Sequence, residues 1–344
     1  MSDDSEQIEA VPHPRDTLQW FGHEEAERTL IDAYRSARMP HAWLIGGPAG
    51  VGKATLAYRV ARFVLAYPDH SLAEVQDARS LALPQGHRVA HLVGAQGHPD
   101  LLVLERRSGE SGALRTVIAV EDVRKLVPFL GSTAGDAGWR VVLVDSADEL
   151  NPAGANALLK LLEEPPRNCL FLIVSHAPGR VLATIRSRCR RLLLRPLSPT
   201  DVARAVAAAL GRAADDPGIA TAAAAAGGSV AQAVALLGGP LLSVRERVME
   251  LLKLLPATDP RALHALGESV ERADRLVVAT FIDAVRDWLS TRLAAEARTG
   301  SRPISLARAW DAINTAARDV DLYNLERKPL VFKVFGWLAE AARG

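Results

Sequence analysis

The sequence has little cysteine: of 344 residues, only Cys169 and Cys189 carry a thiol. Two thiols exclude a disulfide-dense secreted scaffold and a four-cysteine zinc site. No apolar run approaches the roughly 18 residues that a transmembrane helix needs. The first residues, MSDDSEQIEA, are acidic where a signal peptide would be basic. We therefore expect a protein of the reducing cytoplasm, with no membrane association.

Aromatic side chains and surplus charge are also scarce. Phe, Trp and Tyr make up 5% of the residues, whereas 49% are hydrophobic, so the cores must be built mostly from aliphatic side chains. This apolar content excludes wholesale disorder. The 41 basic residues balance 40 acidic ones and leave a formal net charge of +1. We therefore expect any contact with nucleic acid to be local or shared with partners.

Five short apolar runs in the N-terminal part of the chain predict buried strands. They read HAWLIGG, DLLVLE, RVVLVD, CLFLIVS and RRLLLRP, and helical or loop segments such as ATLAYRVARFVLAY lie between them. Apolar strands that alternate with helices indicate a parallel sheet covered on both faces. We therefore predict an α/β fold, in which only residues 68–99 show no clear periodicity.

The pattern changes after Pro196, where the spacing of apolar residues becomes helical throughout. The first of these helices, SPTDVARAVAAAL, opens with a Ser-x-x-Asp capping pattern. At about 100–200 residues per domain, two or three domains are expected. We predict a tail at residues 1–14, an α/β domain at 15–196, a small helical domain at 197–239 and a helical C-terminal domain at 240–344.

A glycine-rich segment, GPAGVGK, joins the first predicted strand to the helix that follows. Gly47, Gly50 and Gly52 let backbone N–H groups curl around phosphate oxygens, and Lys53 reaches the outer phosphates. This strand–loop–helix context predicts a phosphate-binding loop that could take ATP or ADP. A tight turn that holds no ligand is the alternative.

The residues around this loop depart from the pattern that hydrolysis needs. Ala54 replaces the Ser or Thr whose hydroxyl binds magnesium, and Thr55 lies about 100° further round the helix. Asp145 ends the RVVLVD strand, where such proteins place a carboxylate near the magnesium, but Ser146 follows it instead of a glutamate. The predicted nucleotide site, which could be empty, comprises Gly47, Gly50, Gly52, Lys53, Thr55 and Asp145.

Two further carboxylates follow the strand that Asp145 ends. Asp148 and Glu149 stand three and four residues after it, on the next turn or helix. Acidic residues stabilise a helix N-terminus by interacting with its dipole. We therefore interpret this pair as helix-terminal charge.

The segment from Asn151 onward carries a family resemblance. NPAGANALLKLLEEPPRNCLFLIVSH, from Asn151 to His176, is followed by TIRSRCRRLLLRPL from Thr184. With GPAGVGK and the closing NLERKPLVFKVFGWLAEA, these segments resemble the clamp-loader branch of the AAA+ proteins, and within it the delta-prime subunits of bacterial DNA polymerase III. The resemblance implies an AAA+ P-loop domain, a helical lid and a C-terminal collar that holds a hetero-pentamer together.

The resemblance also implies a role. Active motor subunits of the family carry Ser or Thr after the lysine, Glu after the aspartate and an arginine in the lid helix, where this chain has Ala54, Ser146 and Ala231. The chain keeps the arginine of the Ser-Arg-Cys motif as Arg188. The resemblance thus implies a non-hydrolysing subunit that donates Arg188 to a neighbour's ATP site. Its partners would be the tau/gamma ATPase subunits and the delta subunit, and through the complex the sliding clamp and primed DNA.

Two other functions stay open. The chain could be an active ATPase motor subunit of the same loader, which Ala54, Ser146 and Ala231 disfavour. It could be a small-molecule kinase, which would not account for the helical C-terminal third or for Arg188. That arginine could also belong only to a solvated basic turn. The cluster consists of Arg186, Arg188, Arg190 and Arg191.

Zinc is the last candidate ligand. Family members usually carry a four-cysteine zinc module after the P-loop helix. Here that stretch has no cysteine, and its histidines are His70, His87, His91 and His98. His87 and His91 could share a helix face, but no thiolate is available. We predict structural or surface histidines and no bound zinc, and we interpret both cysteines as small buried side chains beside strands.

Overall fold

The computed structural model describes residues 12–106, 115, 117–131, 138–213, 215–237, 240–272, 275–298, 304–323 and 325–343. The chain folds into two compact units, Met1–Val234 and Ala235–Gly344. The predicted lid at 197–239 falls mostly in the first unit, and the division into three domains stays a prediction. Most of the predicted tail at 1–14 lies outside the described residues.

The described residues form five strands and sixteen α-helices. In chain order they are α1 (Glu24–Arg35), β1 (Ala42–Gly46), α2 (Lys53–Ala66), α3 (Ala73–Gln76), α4 (Arg88–Gly94), β2 (Leu101–Glu105), α5 (Val120–Arg124), α6 (Leu126–Gly131), β3 (Arg140–Asp145), α7 (Pro152–Glu163), β4 (Cys169–Ser175), α8 (Ala183–Arg186), β5 (Arg190–Leu193), α9 (Pro199–Leu210), α10 (Pro217–Ala225), α11 (Val230–Leu237), α12 (Pro240–Lys253), α13 (Pro260–Glu271), α14 (Arg275–Arg298), α15 (Ile304–Tyr323) and α16 (Lys328–Ala341). A short 3-10 helix at Ala147–Glu149 precedes α7.

The five strands form one parallel sheet in the order β2-β3-β4-β1-β5. In its centre, Leu44 of β1 pairs with Ile173 of β4 on one side and Arg191 of β5 on the other. All five strands predicted from the apolar runs are present, so the predicted α/β class with a parallel sheet is confirmed. Because the strands are parallel, the segments that follow β1, β3 and β4 meet at one edge of the sheet.

Helices cover both faces of the sheet, as the apolar strands predict. Alternate residues of a strand point to opposite faces. On one face, Ile45 and Leu143 pack with side chains of α1 and α2 such as Tyr34 and Phe63. On the other face, Leu44 and Val142 pack with α5, α6 and α7 through residues that include Val123, Leu126 and Leu158.

Residues 68–99, where the sequence showed no periodicity, contain two short helices. The first, α3, has four residues and the second, α4, has seven. One or two turns are too short for a 3.6-residue apolar repeat to become visible. The helix α9 was easier to predict, because Ser198 caps it by accepting a hydrogen bond from the Asp201 N–H at 3.1 Å.

The described residues of the second unit form helices joined by turns and short irregular segments, with no strand among them. Its buried side chains include Phe281 and Leu289 of α14 and Phe335 of α16. An ion pair of 2.7 Å joins the largely buried Arg245 of α12 to Asp287 of α14. The predicted helical C-terminal region is therefore confirmed for the residues that the structure describes. None of the described helices is long and apolar enough to cross a membrane.

Candidate functional site

The segment 47–53, here called the P-loop, leaves β1 at the sheet centre and opens α2. Gly47 has φ 147° and Gly50 has φ 74°, a backbone region that side chains disfavour. A Cβ on Gly47 would lie 2.4 Å from the carbonyl oxygen of Leu194, and one on Gly50 would lie 2.1 Å from Ser229 Oγ. The tight path of this loop therefore needs glycine at both positions.

A cavity of about 640 Å³ opens beside the P-loop. Of the predicted nucleotide-site residues, the structure brings Gly50, Gly52, Lys53, Thr55 and Asp145 to its wall. Gly47 is not among the lining residues, and its close approach to Leu194 accounts for the glycine there. The volume suits a small-molecule ligand of nucleotide size.

Lys53 is almost fully buried, with 3% of its surface exposed. Its Nζ donates a hydrogen bond to the carbonyl oxygen of Pro48 at 2.5 Å. Burial lowers the pKa of Lys53 to about 8, although the charge of Asp145 opposes that shift. The lysine side chain is thus held inside its own loop, and its pKa lies closer to neutral pH than that of an ordinary lysine.

Asp145 lies at the end of β3, as predicted, and lines the cavity. Burial and, to a smaller extent, the nearby carboxylates of Glu105 and Glu149 raise the pKa of Asp145 to about 6, although the charge of Lys53 opposes this shift. The next residue, Ser146, is buried, and its Oγ has no hydrogen-bond partner among the described residues. The position where hydrolytic relatives carry a glutamate therefore holds a small, enclosed hydroxyl.

The three departures from an active motor subunit meet in this cavity. Ala54, Ser146 and Ala231 all line it. P-loop proteins bind magnesium through a hydroxyl on the residue after the lysine, and Ala54 offers no oxygen at that position. The charged side chains on the wall comprise two cations against four carboxylates. They are Lys53, Arg106, Asp16, Glu105, Asp145 and Glu149.

The start of α11 closes one side of the cavity. The Val230 N–H donates to the carbonyl oxygen of Gly50 at 2.9 Å, and the next residue along the helix is Ala231. A Cβ on Gly50 would lie 2.9 Å from the Ala231 Cβ. The helix that would carry an arginine in a motor subunit is therefore packed directly on the P-loop.

The far wall of the cavity comes from a segment that the sequence did not single out. Pro12, Pro14 and Trp20 line the cavity, although the first two fall in the predicted tail. The buried Arg62 of α2 holds this segment by donating to the carbonyl oxygens of Arg15 and Thr17, each at 2.8 Å. These contacts span more than forty residues of chain, so no local pattern could reveal them.

Asp148 lies in the first turn of the short 3-10 helix, where helix-terminal charge was expected, and its carboxylate also contacts the end of a neighbouring strand. Its carboxylate accepts hydrogen bonds from the Ser175 hydroxyl at 3.0 Å, the His176 N–H at 2.6 Å and the Ala177 N–H at 3.2 Å. Burial alone would raise the pKa of Asp148, but these hydrogen bonds together lower it. Asp148 thus ties the segment after β3 to the end of β4.

Glu149 shares the first turn of the 3-10 helix with Asp148, and it also forms an ion pair beyond that helix. Its Oε2 lies 2.9 Å from Arg106 Nε, and both residues line the cavity. Burial raises the pKa of Glu149, and the Arg106 charge lowers it. The signal that the sequence offered was the position of Glu149 close behind a strand end.

Arg188 is not among the residues that line this cavity. It follows α8, and 36% of its side chain is exposed. Its Nη2 lies 2.8 Å from Glu163 Oε1 at the end of α7, and its Nη1 donates to the Thr184 carbonyl oxygen at 2.9 Å. Of the predicted basic cluster, Arg190 and Arg191 belong to the edge strand β5 itself.

The candidate zinc ligands make local contacts. His87 caps α4, where its Nδ1 accepts a hydrogen bond from the Val89 N–H at 3.2 Å. His98 Nδ1 accepts one from the Asp100 N–H at 3.2 Å. Cys169 is buried, and Cys189 is partly exposed beside the core on the sheet face that packs with α5, α6 and α7. In the described part of the chain, no three His, Cys, Asp or Glu side chains are placed to hold a metal ion.

A family model described as "DNA polymerase III, delta subunit" matches residues 22–198, about half of the chain. The chain is 39% identical over 153 residues to DNA polymerase III subunit delta-prime of Pseudomonas aeruginosa, covering 44% of this chain and 42% of that protein. It is 35% identical over 173 residues to the subunit of the same name from Escherichia coli, covering 48% and 46%.

A second kind of subunit is also similar. The chain is 30% identical over 206 residues to DNA polymerase III subunit gamma/tau of Mycobacterium bovis, covering 60% of this chain and 32% of that protein. Each alignment spans less than half of the relative's length. The similarity to each relative therefore covers only part of that protein and part of this chain.

Proposed function

The chain belongs to the DNA polymerase III delta subunit family, and from that premise we propose that it is the delta-prime subunit of a bacterial clamp loader. In this role it does not hydrolyse ATP, and it donates Arg188 to the ATP site of a neighbouring subunit. It supports the loading of the sliding clamp onto primed DNA in the cytoplasm during replication.

The observation that carries the proposal is the separation of two features. Ala54, Ser146 and Ala231 come together on the wall of one cavity, where they remove groups that hydrolysis uses. Arg188 lies outside that cavity with its guanidinium partly exposed. A subunit that has lost its own hydrolytic groups but presents an arginine suits a role in another subunit's reaction.

The chemistry of Arg188 fits such a role. A guanidinium is always charged and planar, and it stabilises the charge that spreads over phosphoryl oxygens in the transition state. An arginine supplied across a subunit boundary must be reachable from solvent before assembly. Arg188 meets that condition, whereas Arg59 and Arg62 are buried in α2.

The partners follow from the proposed role. They are the tau/gamma ATPase subunits and the delta subunit in a hetero-pentamer, and the sliding clamp and primed DNA through that complex. The helical region at 240–344 would form the collar that joins the subunits. The near-neutral net charge of +1 supports a DNA contact shared within the complex over a broad contact by this chain alone.

A second candidate is an active motor subunit of the same loader. It is supported by the cavity at the P-loop, which Lys53, Thr55 and Asp145 line, and by the similarity to a gamma/tau subunit. The missing hydroxyl at Ala54 argues against it. ATP turnover by the isolated chain separates the two candidates.

Reconstitution tests the proposal. The full chain, carrying an affinity tag, is produced with the tau/gamma and delta subunits of the same organism, and the captured complex is analysed by native mass spectrometry. We expect one copy of this chain per complex and DNA-stimulated clamp loading that depends on it. A chain that stays monomeric beside an assembled loader, or a loader equally active without it, contradicts the proposal.

A further inference from the structure

The guanidinium of Arg188 is held by three groups of its own chain. Its Nη2 pairs with Glu163 Oε1 at 2.8 Å, and its Nη1 donates to the Thr184 carbonyl oxygen at 2.9 Å and to Ser187 Oγ at 3.3 Å. A guanidinium carries five N–H donors, so these contacts leave donors for the oxygens of another molecule. The guanidinium is therefore oriented by its own chain and still has N–H groups that can donate to another molecule.

Glu163 stands at an unfavourable place for a carboxylate. It is the last residue of α7, and the C-terminal end of a helix carries partial negative charge. Glu164 follows it as the helix cap and adds a second negative charge. The positive charge of Arg188 offsets this repulsion and draws its own side chain to the end of α7.

The Glu163–Arg188 pair contributes little to folding. The two side chains are 42% and 36% exposed, and exposed ion pairs are worth about 0–1 kcal/mol. What the pair does fix is direction, because an arginine side chain has several rotatable bonds and few of its conformers point the same way. Holding one conformer before assembly removes an entropy cost from the step in which the arginine acts.

We infer that Glu163 is a positioning residue for Arg188, which sets the orientation of the guanidinium toward the neighbouring subunit's ATP. This inference rests on the proposed function of Arg188. Glu163 does not touch the nucleotide; it acts through the arginine, with the Thr184 carbonyl oxygen as the second fixed point. The proposed role in the clamp loader thus involves Glu163 at the end of α7 as well as Arg188 of the Ser-Arg-Cys motif.

A double-mutant cycle in the reconstituted complex tests the inference. The variants are Glu163→Gln, Arg188→Ala and both together, with Glu164→Gln as the matched control on the adjacent residue. We measure DNA-stimulated kcat and KM for ATP, assembly and the thermal midpoint of each free chain. Glu163→Asp is the second variant, because it keeps the charge but withdraws the carboxylate by one methylene.

We expect Glu163→Gln to lower kcat by up to about 10²-fold, the scale of a misplaced catalytic group. KM, assembly and the thermal midpoint stay unchanged, because the pair acts in the transition state and is exposed. In the Arg188→Ala background Glu163→Gln has no further effect, and Glu164→Gln resembles the wild type. Glu163→Asp falls between the wild type and Glu163→Gln.

The outcomes distinguish this inference from the proposed function. If Arg188→Ala leaves kcat unchanged, the proposed function itself fails. If Arg188→Ala lowers kcat but Glu163→Gln does not, only the positioning role is overturned. The same conclusion holds if Glu163→Gln lowers kcat by the same factor with and without Arg188. An increase in kcat with Glu163→Gln also overturns it, because Glu163 would then hold the arginine away from its target.

Discussion

The P-loop end and the Arg188 end of the first unit differ in what their polar groups do. At the P-loop, Lys53 donates to a carbonyl of its own loop, and Ser146 Oγ is enclosed with no partner among the described residues. At the other end, Arg188 is exposed and oriented by the chain around it. The proposed function depends on this difference: the P-loop cavity lacks groups that hydrolysis uses in P-loop proteins, whereas an arginine that a neighbouring subunit could use lies partly exposed elsewhere in the same unit.

Removal of Arg188 is expected to have the largest effect, and it tests the difference between the two ends most directly. In a reconstituted complex, Arg188→Ala should lower ATP hydrolysis at the neighbouring site by about 10³–10⁵-fold, the range typical of arginine fingers. Assembly should survive, because a single exposed charge contributes little to stability. Assembly, DNA-stimulated ATP turnover and clamp loading are measured separately, with Arg191→Ala as the control on the adjacent strand. Unchanged turnover in an intact complex would return Arg188 to a solvated basic turn.

A variant of Asp148 tests whether the hydrogen bonds at the P-loop end stabilise the fold. Asp148→Ala removes the acceptor of three hydrogen bonds at the end of β4 and should cost about 1–2 kcal/mol of unfolding free energy. Because the folded-state pKa of Asp148 is lowered, this stability is present above its ordinary value of 3.8 and is lost as pH falls below it. Urea unfolding at pH 7 and in acid measures both effects, and Asp148→Asn, which keeps one acceptor, should lie between. Equal stability of Asp148→Ala and wild type at pH 7 would contradict this role.

The contribution of Asp145 to the free energy of unfolding should depend on pH in the opposite direction. The folded-state pKa of Asp145 is raised from 3.8 to about 6. Ionisation of its carboxyl therefore lowers the stability of the fold as pH rises from 3.8 to about 6, and this loss is complete above pH 6. Asp145→Asn should therefore stabilise the first unit by about 1–2 kcal/mol at pH 8 and have little effect near pH 4. Urea unfolding at both pH values checks it, and a loss of stability at pH 8 would mean that the ionised carboxylate is held by contacts that outweigh its burial.

The sheet was predictable from sequence, whereas the completed site was not. Each strand is a short apolar run, although only β1, β3 and β4 are almost fully buried and the edge strand β5 is mostly exposed. The three glycines of GPAGVGK indicate the backbone path of the loop. The carboxylate of Asp148 binds groups at 175–177, and Glu163 reaches an arginine twenty-five positions away. No periodicity encodes such pairings, because they join segments that come together only in the folded domain. The segment that lines the far wall of the cavity is likewise held by distant residues, because Arg59 and Arg62 of α2 donate to its backbone carbonyl oxygens.

The smallest expected effect concerns Lys53 and bears on the choice between the two candidate functions. With Ala54 in place of the magnesium-binding hydroxyl and Ser146 in place of a glutamate, the isolated chain lacks two groups on which hydrolysis depends. Its phosphate release from ATP should equal that of Lys53→Ala, within the error of a continuous phosphate assay. Circular dichroism of both proteins controls for folding, because Lys53 is buried in the P-loop. Saturable turnover by the wild type that Lys53→Ala abolishes, with both proteins folded, would make this chain a motor subunit. The contrast between its two ends would then reduce to a difference in exposure.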